Sequence, residues 1–364
     1  MFSFSLEARA GRARAGRLVT PHGALDTPAF MPVGTAGAVK AVTARDLGEV
    51  GARIVLANTY HLMLRPGDAV VAELGGLHGF TPWRGPWLTD SGGYQVMSLA
   101  KLRTLDEQGV TFRSHLDGTE HVLTPERSIE VQMNLGADVI MAFDECPMLP
   151  APRDVVAAAA ERTTRWAERS ARAHRRSDQW LFGIVQGGVD AELRERSARE
   201  IVALGFPGHA IGGLAVGEAK PDTMRVVAQM DGLLPEEKPR YLMGVGTPGD
   251  LLEAVARGVD LFDCVLPTRN ARNGQLFTRQ GRVSIRNARY RADPRPPDPD
   301  CSCPTCASTS RAYLRHLHLA GEMAAATLMT VHNLFFYLDT LRNMRQSIVL
   351  GRFEEFREEI LRAL

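Results

Sequence analysis

Short apolar runs recur along this chain, and their number and spacing limit the folds that it can adopt. Each run is three to five residues long and ends at a polar residue, a glycine or a proline. Runs of this kind are typical of strands that are buried on both faces of a parallel sheet. We identify eight such runs: Ala29–Val33, Ile54–Ala57, Trp87–Thr89, Val139–Phe143, Leu181–Val185, Ala210–Leu214, Tyr241–Gly244 and Leu261–Val265.

Segments with helix signals lie between most of these runs. The last has Thr247 as its N-cap, Pro248 in the first turn and Asp250 closing the cap, and it ends at Gly258. Eight strand–helix units in 364 residues predict an α/β protein with a (β/α)8 TIM barrel, residues 1–364 forming one domain. One predicted helix begins at Thr124–Glu126. The four others cover Pro152–His174, Ala191–Ala203, Pro221–Met230 and Leu251–Arg257.

The N-terminal segment predicts a β-hairpin rather than a transit peptide. Phe2, Phe4 and Leu6 alternate with polar residues, and the pattern continues directly into structured-looking sequence. No apolar run approaches the roughly 18 residues that a membrane span needs. Five cysteines, three of them within 301–306, do not suggest a secreted disulfide framework. We therefore expect a cytoplasmic protein without a membrane segment.

Polar residues follow the ends of several predicted strands. Such residues often only begin loops or cap helices, which would explain any one of them. That explanation fits less well for three carboxylates and an amide, because a barrel gathers the carboxyl ends of its strands at one mouth. Asp263 stands out, since a charge inside an apolar strand is costly unless it is paired, protonated or functional. The polar positions are Asn58, Asp90, Asp144, Gln186, the Gly212–Gly213 pair, Gly244 and Asp263.

Some of these residue types suit a purine. A carboxylate such as that of Asp144 can accept two parallel hydrogen bonds from a ring N–H and an amino group, as guanine offers. Gln186 adds a mixed donor and acceptor, and Gly213 could supply a free backbone N–H. Tyr94 and Met243 would make flat or soft walls for a ring, or they could equally belong to the core.

A cysteine cluster near the C-terminus predicts a metal site. Cys301, Cys303 and Cys306, with His332 26 residues further on, offer three thiolates and an imidazole. This ligand set is typical of a closed, structural, tetrahedral Zn²⁺ site. His316 and His318 are alternatives, but they lie in what looks like a continuing helix.

Just before the cluster, the stretch from Arg269 to Arg295 holds eight arginines and one acid, a local charge of +7 in a chain whose net charge is +1. We expect the arginine-rich stretch to contact a phosphate backbone.

Nine sequence motifs together resemble those of the bacterial tRNA-guanine transglycosylase family, from about Thr27 to His332. They are TPAFMPVGT, NTYHLMLRPG, TDSGGYQVMS, FDEC, VQGG, GGLAVGE, LMGVG, FDCVLPTR and the cysteine–histidine cluster. The resemblance implies a zinc-containing TIM barrel with an inserted zinc-binding, arginine-rich subdomain at about 270–335. It further implies a homodimer that exchanges the wobble guanine of certain tRNAs for the base 7-aminomethyl-7-deazaguanine, in queuosine biosynthesis.

The resemblance also assigns roles by position. Asp263 would be the nucleophile that forms a covalent glycosyl-enzyme, and Asp90 the general acid/base. One structural Zn²⁺ would be bound by Cys301, Cys303, Cys306 and His332. The base would be contacted by Ser91, Gly92, Gly93, Tyr94, Asp144, Cys146, Gln186, Gly213, Leu214, Glu218 and Met243. The tRNA would be contacted by Gly244, Val245, Gly246, Thr247, Pro248, Gly249, Asp250, Thr268, Arg269, Asn270, Ala271 and Arg272.

Three alternatives to this function deserve comparison. A barrel glycosidase would need only the two carboxylates Asp90 and Asp263, but it would not explain the zinc cluster or the arginines. A non-catalytic RNA-binding relative would not need all three acids. An archaeal relative that modifies a D-arm guanine usually has a further C-terminal RNA-binding region. Cys146 and Val216 are of the bulkier bacterial type, which favours the aminomethyl base over the larger queuine.

Overall fold

The computed structural model describes residues 2–99 and 103–363. The strands alternate with helices through most of the chain, as the sequence predicts. They are β1 (Ser3–Ala10), β2 (Ala13–Thr20), β3 (Gly23–Thr27), β4 (Ala29–Pro32), β5 (Val55–Ala57), β6 (Trp87–Thr89), β7 (Arg103–Leu105), β8 (Val110–Arg113), β9 (Glu120–Leu123), β10 (Val139–Met141), β11 (Trp180–Val185), β12 (His209–Ile211), β13 (Arg240–Leu242), β14 (Leu261–Cys264), β15 (Gln275–Thr278) and β16 (Gly281–Ser284).

The helices range from single turns to a rod of 27 residues. They are α1 (Ala44–Glu49), α2 (Thr59–Leu64), α3 (Asp68–Glu73), α4 (Gly76–Phe80), α5 (Gly93–Leu99), α6 (Pro125–Leu135), α7 (Arg153–Ala173), α8 (Ala191–Ala203), α9 (Lys220–Asp231), α10 (Pro248–Val255), α11 (Leu266–Arg272), α12 (Pro304–Ser308), α13 (Arg311–Ala320), α14 (Met323–Val349) and α15 (Phe353–Ala363). A short 3-10 helix covers Ala288–Tyr290.

Eight parallel strands form a closed barrel, which confirms the predicted fold. Their order is β4-β14-β13-β12-β11-β10-β6-β5. A parallel bridge between Val33 and Leu56 joins β4 to β5 and completes the circle. Each of the eight predicted runs coincides with one barrel strand, although the strand ends differ by up to three residues.

Side chains on the barrel strands alternate between two cores. Leu261 belongs to a cluster inside the barrel, whereas its neighbour Phe262 packs outward against the surrounding helices. The next residue, Asp263, therefore lies on the inner side, since successive residues of a strand face opposite ways. The strand register alone places this carboxylate inside the barrel.

The N-terminal strands cover the floor of the barrel, which is the end opposite the strands' carboxyl ends. β1 and β2 form the predicted hairpin, and β3 extends it to a three-stranded antiparallel sheet. Leu18 and Leu25 from this sheet join the inner cluster of the barrel. The hairpin thus seals one end and leaves the other end for a cavity.

Helix α10 begins as the sequence predicts but ends earlier. Thr247 is its N-cap, and Asp250 completes a capping box by accepting a hydrogen bond from the Thr247 backbone. The predicted end at Arg257 is wrong, because the helix stops at Val255. The chain then turns through Gly258 at φ +85°, with the amide of Val259 donating to the carbonyl of Ala254.

Two features of the fold differ from expectation or settle an open choice. Strands β7, β8 and β9 form an antiparallel sheet between β6 and α6 that the sequence analysis does not predict. These strands are short and partly polar, so they carry little periodic signal. From the sequence, the apolar run 334–338 could belong either to a subunit interface or to the core. In the structure it lies on α14 and is mostly buried, with Tyr337 fully enclosed.

A smaller core lies beside the barrel, within the region where the zinc-binding subdomain is expected. Leu276 and Val283 from the β15–β16 hairpin pack with Leu314 of α13 and Met329 of α14. Among the described residues, no helix is both long and apolar enough to cross a membrane.

Candidate active site

A cavity of about 760 Å³ opens at the mouth where the barrel strands end, and all three suspected carboxylates line it. Asp90 follows β6, Asp144 follows β10, and Asp263 lies within β14. Asp90 and Asp144 are almost fully buried, and Asp263 is partly exposed to the cavity. The sequence-based expectation that these groups converge is therefore confirmed.

Asp263 is held by two hydrogen bonds to one of its carboxylate oxygens. The hydroxyl of Tyr241 donates to Oδ1 at 2.6 Å, and the backbone amide of Gly244 donates to the same oxygen at 2.7 Å. Burial raises the pKa of Asp263, while these two donors act in the opposite direction. Because both donors share Oδ1, the other oxygen, Oδ2, is free of them.

Asp90 is a buried acid of the cavity whose pKa is raised. Burial raises its pKa to about 6, with the negative charge of Asp263 adding to the effect. The amide of Asn58 donates to Oδ2, and the backbone amide of Thr59 donates to Oδ1 at 2.8 Å. A carboxyl group with this pKa can hold or release a proton near neutral pH, which suits general acid/base chemistry.

Asp144 is fixed by side chains on both of its oxygens. Ser91 Oγ donates to Oδ1 and Gln186 Nε2 donates to Oδ2, each at 2.7 Å. Burial raises its pKa. Gln186 itself does not line the cavity, and its buried Oε1 lacks a hydrogen-bond partner among the described residues. Gln186 thus orients Asp144 and retains one unused acceptor.

Gly213 must be a glycine for two reasons. Its φ is +63°, and a Cβ at this position would lie 2.2 Å from Gln186 Oε1. Arg194, which is fully buried on α8, donates to the Gly213 carbonyl at 3.2 Å and to the carbonyls of Gly188 and Val185. This arginine fixes the loop behind the cavity from below.

Glu218 shapes the neighbouring turn. Its carboxylate accepts hydrogen bonds from the amides of Ala215 at 2.6 Å and Val216 at 3.0 Å, and from the hydroxyl of Thr223 at 2.6 Å. Burial alone would raise the pKa of Glu218, but these donors hold it below its usual range. The N–H of Ala215 faces Glu218, so the Leu214 carbonyl of the same peptide points away from that carboxylate.

Most of the sequence-predicted base and RNA residues meet at this cavity. Those that line it are Asp90, Ser91, Tyr94, Asp144, Cys146, Gly213, Leu214, Glu218, Met243, Gly244, Val245, Gly246, Thr247, Asp250, Asp263 and Arg269. Those that do not are Gly92, Gly93, Gln186, Pro248, Gly249, Thr268, Asn270, Ala271 and Arg272. Pro248, Thr268 and Ala271 are buried, so they are placed to support the cavity mouth.

Tyr241 and Arg194 were missed by the sequence analysis. Tyr241 is the first residue of the predicted run Tyr241–Gly244, and its inner position on β13 could have been inferred from the alternation of the strand. Arg194 has no comparable signal, because it reads as an ordinary charge on an amphipathic helix. Asn58 was noted at a strand end, but nothing indicated its bond to Asp90.

The cysteine–histidine cluster forms a compact buried site. The Sγ atoms of Cys301, Cys303 and Cys306 lie 3.8, 3.5 and 3.3 Å from Nδ1 of His332. A tetrahedral Zn²⁺ with ordinary bond lengths requires sulfur–nitrogen separations of about 3.6 Å. His332 Nε2 lies 2.7 Å from the carbonyl of Phe277, an outer contact that leaves Nδ1 for the metal. The geometry therefore fits one Zn²⁺ and selects His332 over His316 and His318.

Helix α14 connects this cluster to the mouth of the barrel. Asn333, next to His332, donates to the carbonyls of Pro267 and Gln275, both at 3.0 Å, and accepts from the amide of Phe277. One turn further along, the Tyr337 hydroxyl donates to the carbonyl of Gly246 at 3.1 Å. Gly246 lines the cavity.

We expect Cys303→Ser to destabilise the fold by on the order of 4 kcal/mol, because it removes one of the four groups that would hold the expected Zn²⁺ as a cross-link in a small core. Hydrogen exchange should localise the loosening to 301–332, and calorimetry should measure the loss. Ser302→Ala is the matched control, since Ser302 is exposed between the same cysteines. A Cys303→Ser protein that contains no zinc yet melts normally would contradict a structural role.

Six of the eight arginines in the stretch 269–295 remain available on the surface. Arg279 is engaged internally, with Asp339 at 2.8 Å and Asp298 at 3.4 Å, and Arg295 pairs with Asp293 at 2.8 Å. The local charge is therefore smaller than the sequence suggests. The exposed arginines of this stretch that form no ion pair with a described residue are Arg269, Arg272, Arg282, Arg286, Arg289 and Arg291.

Comparison with known proteins gives a consistent result. The family model described as queuine tRNA-ribosyltransferase matches residues 9–364. Similar proteins carrying that name are found in Thermus thermophilus, 57% identical over 99% of this chain and 94% of the relative, and in Moorella thermoacetica, 57% identical over 95% and 93%. Another, from Desulforamulus reducens, is 56% identical over 96% of this chain and 95% of its own.

Proposed function

This chain belongs to the queuine tRNA-ribosyltransferase family, and from this we propose that it is a tRNA-guanine transglycosylase acting in queuosine biosynthesis. Its reaction exchanges the wobble guanine of a tRNA anticodon for 7-aminomethyl-7-deazaguanine. The observation that carries the proposal is the convergence of Asp90, Asp144 and Asp263 on one cavity at the barrel mouth. A purine and its ribose need such a set of groups: one to bond the sugar, one to move a proton and one to hold the base.

In the first half-reaction, Asp263 Oδ2 attacks ribose C1′, and the bond from C1′ to guanine N9 breaks. The electron pair remains on guanine, which takes a proton from Asp90, and the ribose is left esterified to Asp263. In the second half-reaction, N9 of the incoming base attacks C1′, the ester bond breaks, and the N9 proton returns to Asp90. This is the double displacement of retaining glycosidases with a base in place of water.

Recognition of the base is assigned to groups that the protein already holds in place. Asp144, fixed by Ser91 and Gln186, accepts hydrogen bonds from the purine edge, and the Gly213 amide donates one. The Leu214 carbonyl, directed away from Glu218, accepts from the aminomethyl ammonium. Cys146 and Val216 line the cavity and restrict the space beyond the base, which supports the aminomethyl base over queuine.

The tRNA is proposed to lie across the mouth, against the loop 244–250 and helix α11. Arg272 is exposed on α11, and its Nε donates only to the Thr268 carbonyl, at 3.2 Å, which leaves its other donors free for phosphate. A base flipped out of an anticodon loop would then enter the cavity. The cytoplasm is the expected compartment, a homodimer the expected assembly and one Zn²⁺ per chain the expected metal.

We expect Arg272→Ala to weaken tRNA binding and to reduce the slope of log affinity against log salt by about 0.7 to 1, because one phosphate contact is lost. Arg172→Ala is the control, since Arg172 is equally exposed but lies on α7 and pairs only weakly with Glu168. Affinities measured at several salt concentrations make the comparison. Equal slopes for the two variants would remove Arg272 from the interface.

The function itself is tested by exchange of radiolabelled guanine into unmodified tRNA, with and without excess aminomethyl base. We expect labelled guanine to enter the tRNA and the aminomethyl base to prevent its return. A barrel glycosidase would release a free sugar and would not incorporate guanine. Hydrolysis without exchange would therefore refute the proposal.

A further inference from the structure

A second cluster of metal-ligating side chains lies on the floor of the barrel, at the end opposite the cavity. It consists of His22, in the turn between β2 and β3, His78, on α4, and Asp138, immediately before β10. We propose that these three residues bind a borderline divalent transition-metal ion of the Zn²⁺ class. This site is separate from the cysteine cluster and independent of the proposed catalytic function.

The geometry of the three residues suits a shared ion. His22 Nδ1 lies 2.8 Å from Asp138 Oδ1, and His78 Nε2 lies 3.4 Å from Asp138 Oδ2. The candidate ligand atoms all lie within 4.8 Å of one another. Metal–ligand bonds of 2.0–2.2 Å require neighbouring ligand atoms to be about 2.9 Å apart in an octahedral site and about 3.4 Å in a tetrahedral one. Both measured separations fall close to this range.

The orientation of the imidazole rings describes the metal-free state of the cluster. The His22 and His78 rings are stacked, with centroids 3.4 Å apart and planes 14° apart. In this arrangement each ring has a nitrogen toward one oxygen of Asp138, and binding of a shared ion requires the exposed His22 ring to rotate until both nitrogen lone pairs point at the same atom.

The surroundings of the cluster combine a fixed ligand with an open approach. The Asp138 side chain is fully buried, and the backbone amide of Trp87 donates to its Oδ2 at 2.9 Å, which fixes the carboxylate. The His22 side chain is 40% exposed, so an ion can reach the cluster from solvent. His78 Nε2 also lies 3.1 Å from the Gly85 carbonyl oxygen. In the metal-free state this oxygen can accept a hydrogen bond from a proton on Nε2.

The Asp138 carboxylate is the main group in the cluster that attracts a cation, because the charges of the neighbouring residues nearly cancel. Arg176 and Asp178 lie nearby, but they pair with each other at 2.9 and 2.7 Å, so their fields largely cancel. Two imidazoles and a carboxylate favour Zn²⁺, Co²⁺ or Ni²⁺ over Mg²⁺ or Ca²⁺, which prefer oxygen ligands. The bound ion would join the hairpin, α4 and the start of β10, and so fasten the floor of the barrel.

The floor site is far from the proposed chemistry. Asp138 immediately precedes β10 and Asp144 follows it, so the two carboxylates lie toward opposite ends of the barrel, at most about 20 Å apart. We therefore expect a stabilising role, with the ion raising the melting temperature while guanine exchange stays unchanged.

The test is a Co²⁺ titration of the full-length enzyme already loaded with one Zn²⁺ per chain. Co²⁺ on nitrogen and oxygen ligands gives only weak visible bands, whereas Co²⁺ on the cysteine cluster adds an intense thiolate charge-transfer band. We expect one further Co²⁺ per chain without the thiolate band. His22→Ala and His78→Gln should each weaken this binding at least about tenfold.

His316→Ala is the matched control, because His316 is an exposed histidine outside the cluster. It should leave the added Co²⁺ unchanged. No further equivalent in the parent protein, or equal binding by His22→Ala, would overturn the proposal. His22 lies in an exposed turn, so its variant keeps the test valid even where His78→Gln folds poorly.

Discussion

Asp263→Asn should lower guanine exchange by roughly 10⁴-fold or more, the order of loss seen when a covalent nucleophile is removed. The amide keeps the shape of the side chain and can still accept from Tyr241 and Gly244, but it cannot form an ester with ribose. The covalent enzyme–tRNA adduct, which resists denaturation, should no longer be detected on a denaturing gel. tRNA affinity should change little, since the contact with C1′ forms only during the reaction.

The same substitution should leave the protein at least as stable as the parent at neutral pH. Burial raises the pKa of Asp263, so its ionised form is disfavoured in the folded state. The stability that the protein gains from neutral Asp263 is fully present below the pKa of this group in the unfolded chain. It is lost as the pH rises through the raised pKa of Asp263 in the folded protein. Asparagine stays neutral at every pH and therefore avoids this loss. Asp154→Asn, on the exposed start of α7, is the control for exchange and adduct. An adduct that persists in Asp263→Asn would assign the nucleophile elsewhere.

Asp90→Asn should slow both half-reactions by roughly 10² to 10⁴-fold, the usual contribution of a general acid or base. The pKa of about 6 gives the two halves opposite pH dependences in the parent enzyme. Adduct formation needs protonated Asp90, so its rate should fall as pH rises above about 6. Resolution of the adduct needs ionised Asp90, so its rate should fall as pH drops below about 6.

Single-turnover measurements separate these halves, and Asp90→Asn should flatten both profiles while tRNA still binds. The variant keeps an acceptor for the Thr59 amide, and the Asn58 amide can turn to accept from the new side chain. Unchanged turnover, or profiles that keep their slopes in the variant, would exclude Asp90 from proton transfer.

The sequence predicts the barrel well because its signal is repeated. Each strand is an apolar run that ends at a polar residue, and the same pattern occurs eight times, so an error in one run does not change the fold. The β7–β9 sheet has no such support, since it is built from short strands with exposed positions. The end of α10 was misplaced because the turn through Gly258 depends on a backbone conformation rather than on an apolar pattern.

Within the site, the sequence predicts that the three acids converge on one cavity, but it does not predict which residues hold those acids in place. Asp90, Asp144 and Asp263 all lie at or near the carboxyl ends of their strands, and barrel geometry then brings them together. The groups that fix them come from other elements. Arg194 reaches the Gly213 carbonyl from α8, and Tyr241 meets Asp263 across two strands. Such partners follow from three-dimensional packing, for which a single sequence has no local pattern.

The spacing of residues along helix α14 has a consequence for how an RNA would bind at the mouth of the barrel. Within six residues it carries His332 of the cysteine–histidine cluster, Asn333, which donates to the Pro267 carbonyl of α11, and Tyr337, which contacts the rim. The distance between the cysteine–histidine cluster and the rim of the cavity is therefore fixed by this segment of helix. We expect an anticodon loop bound at this mouth to adapt its own conformation to this spacing, because the rim contact and the cysteine–histidine cluster lie on one continuous helix.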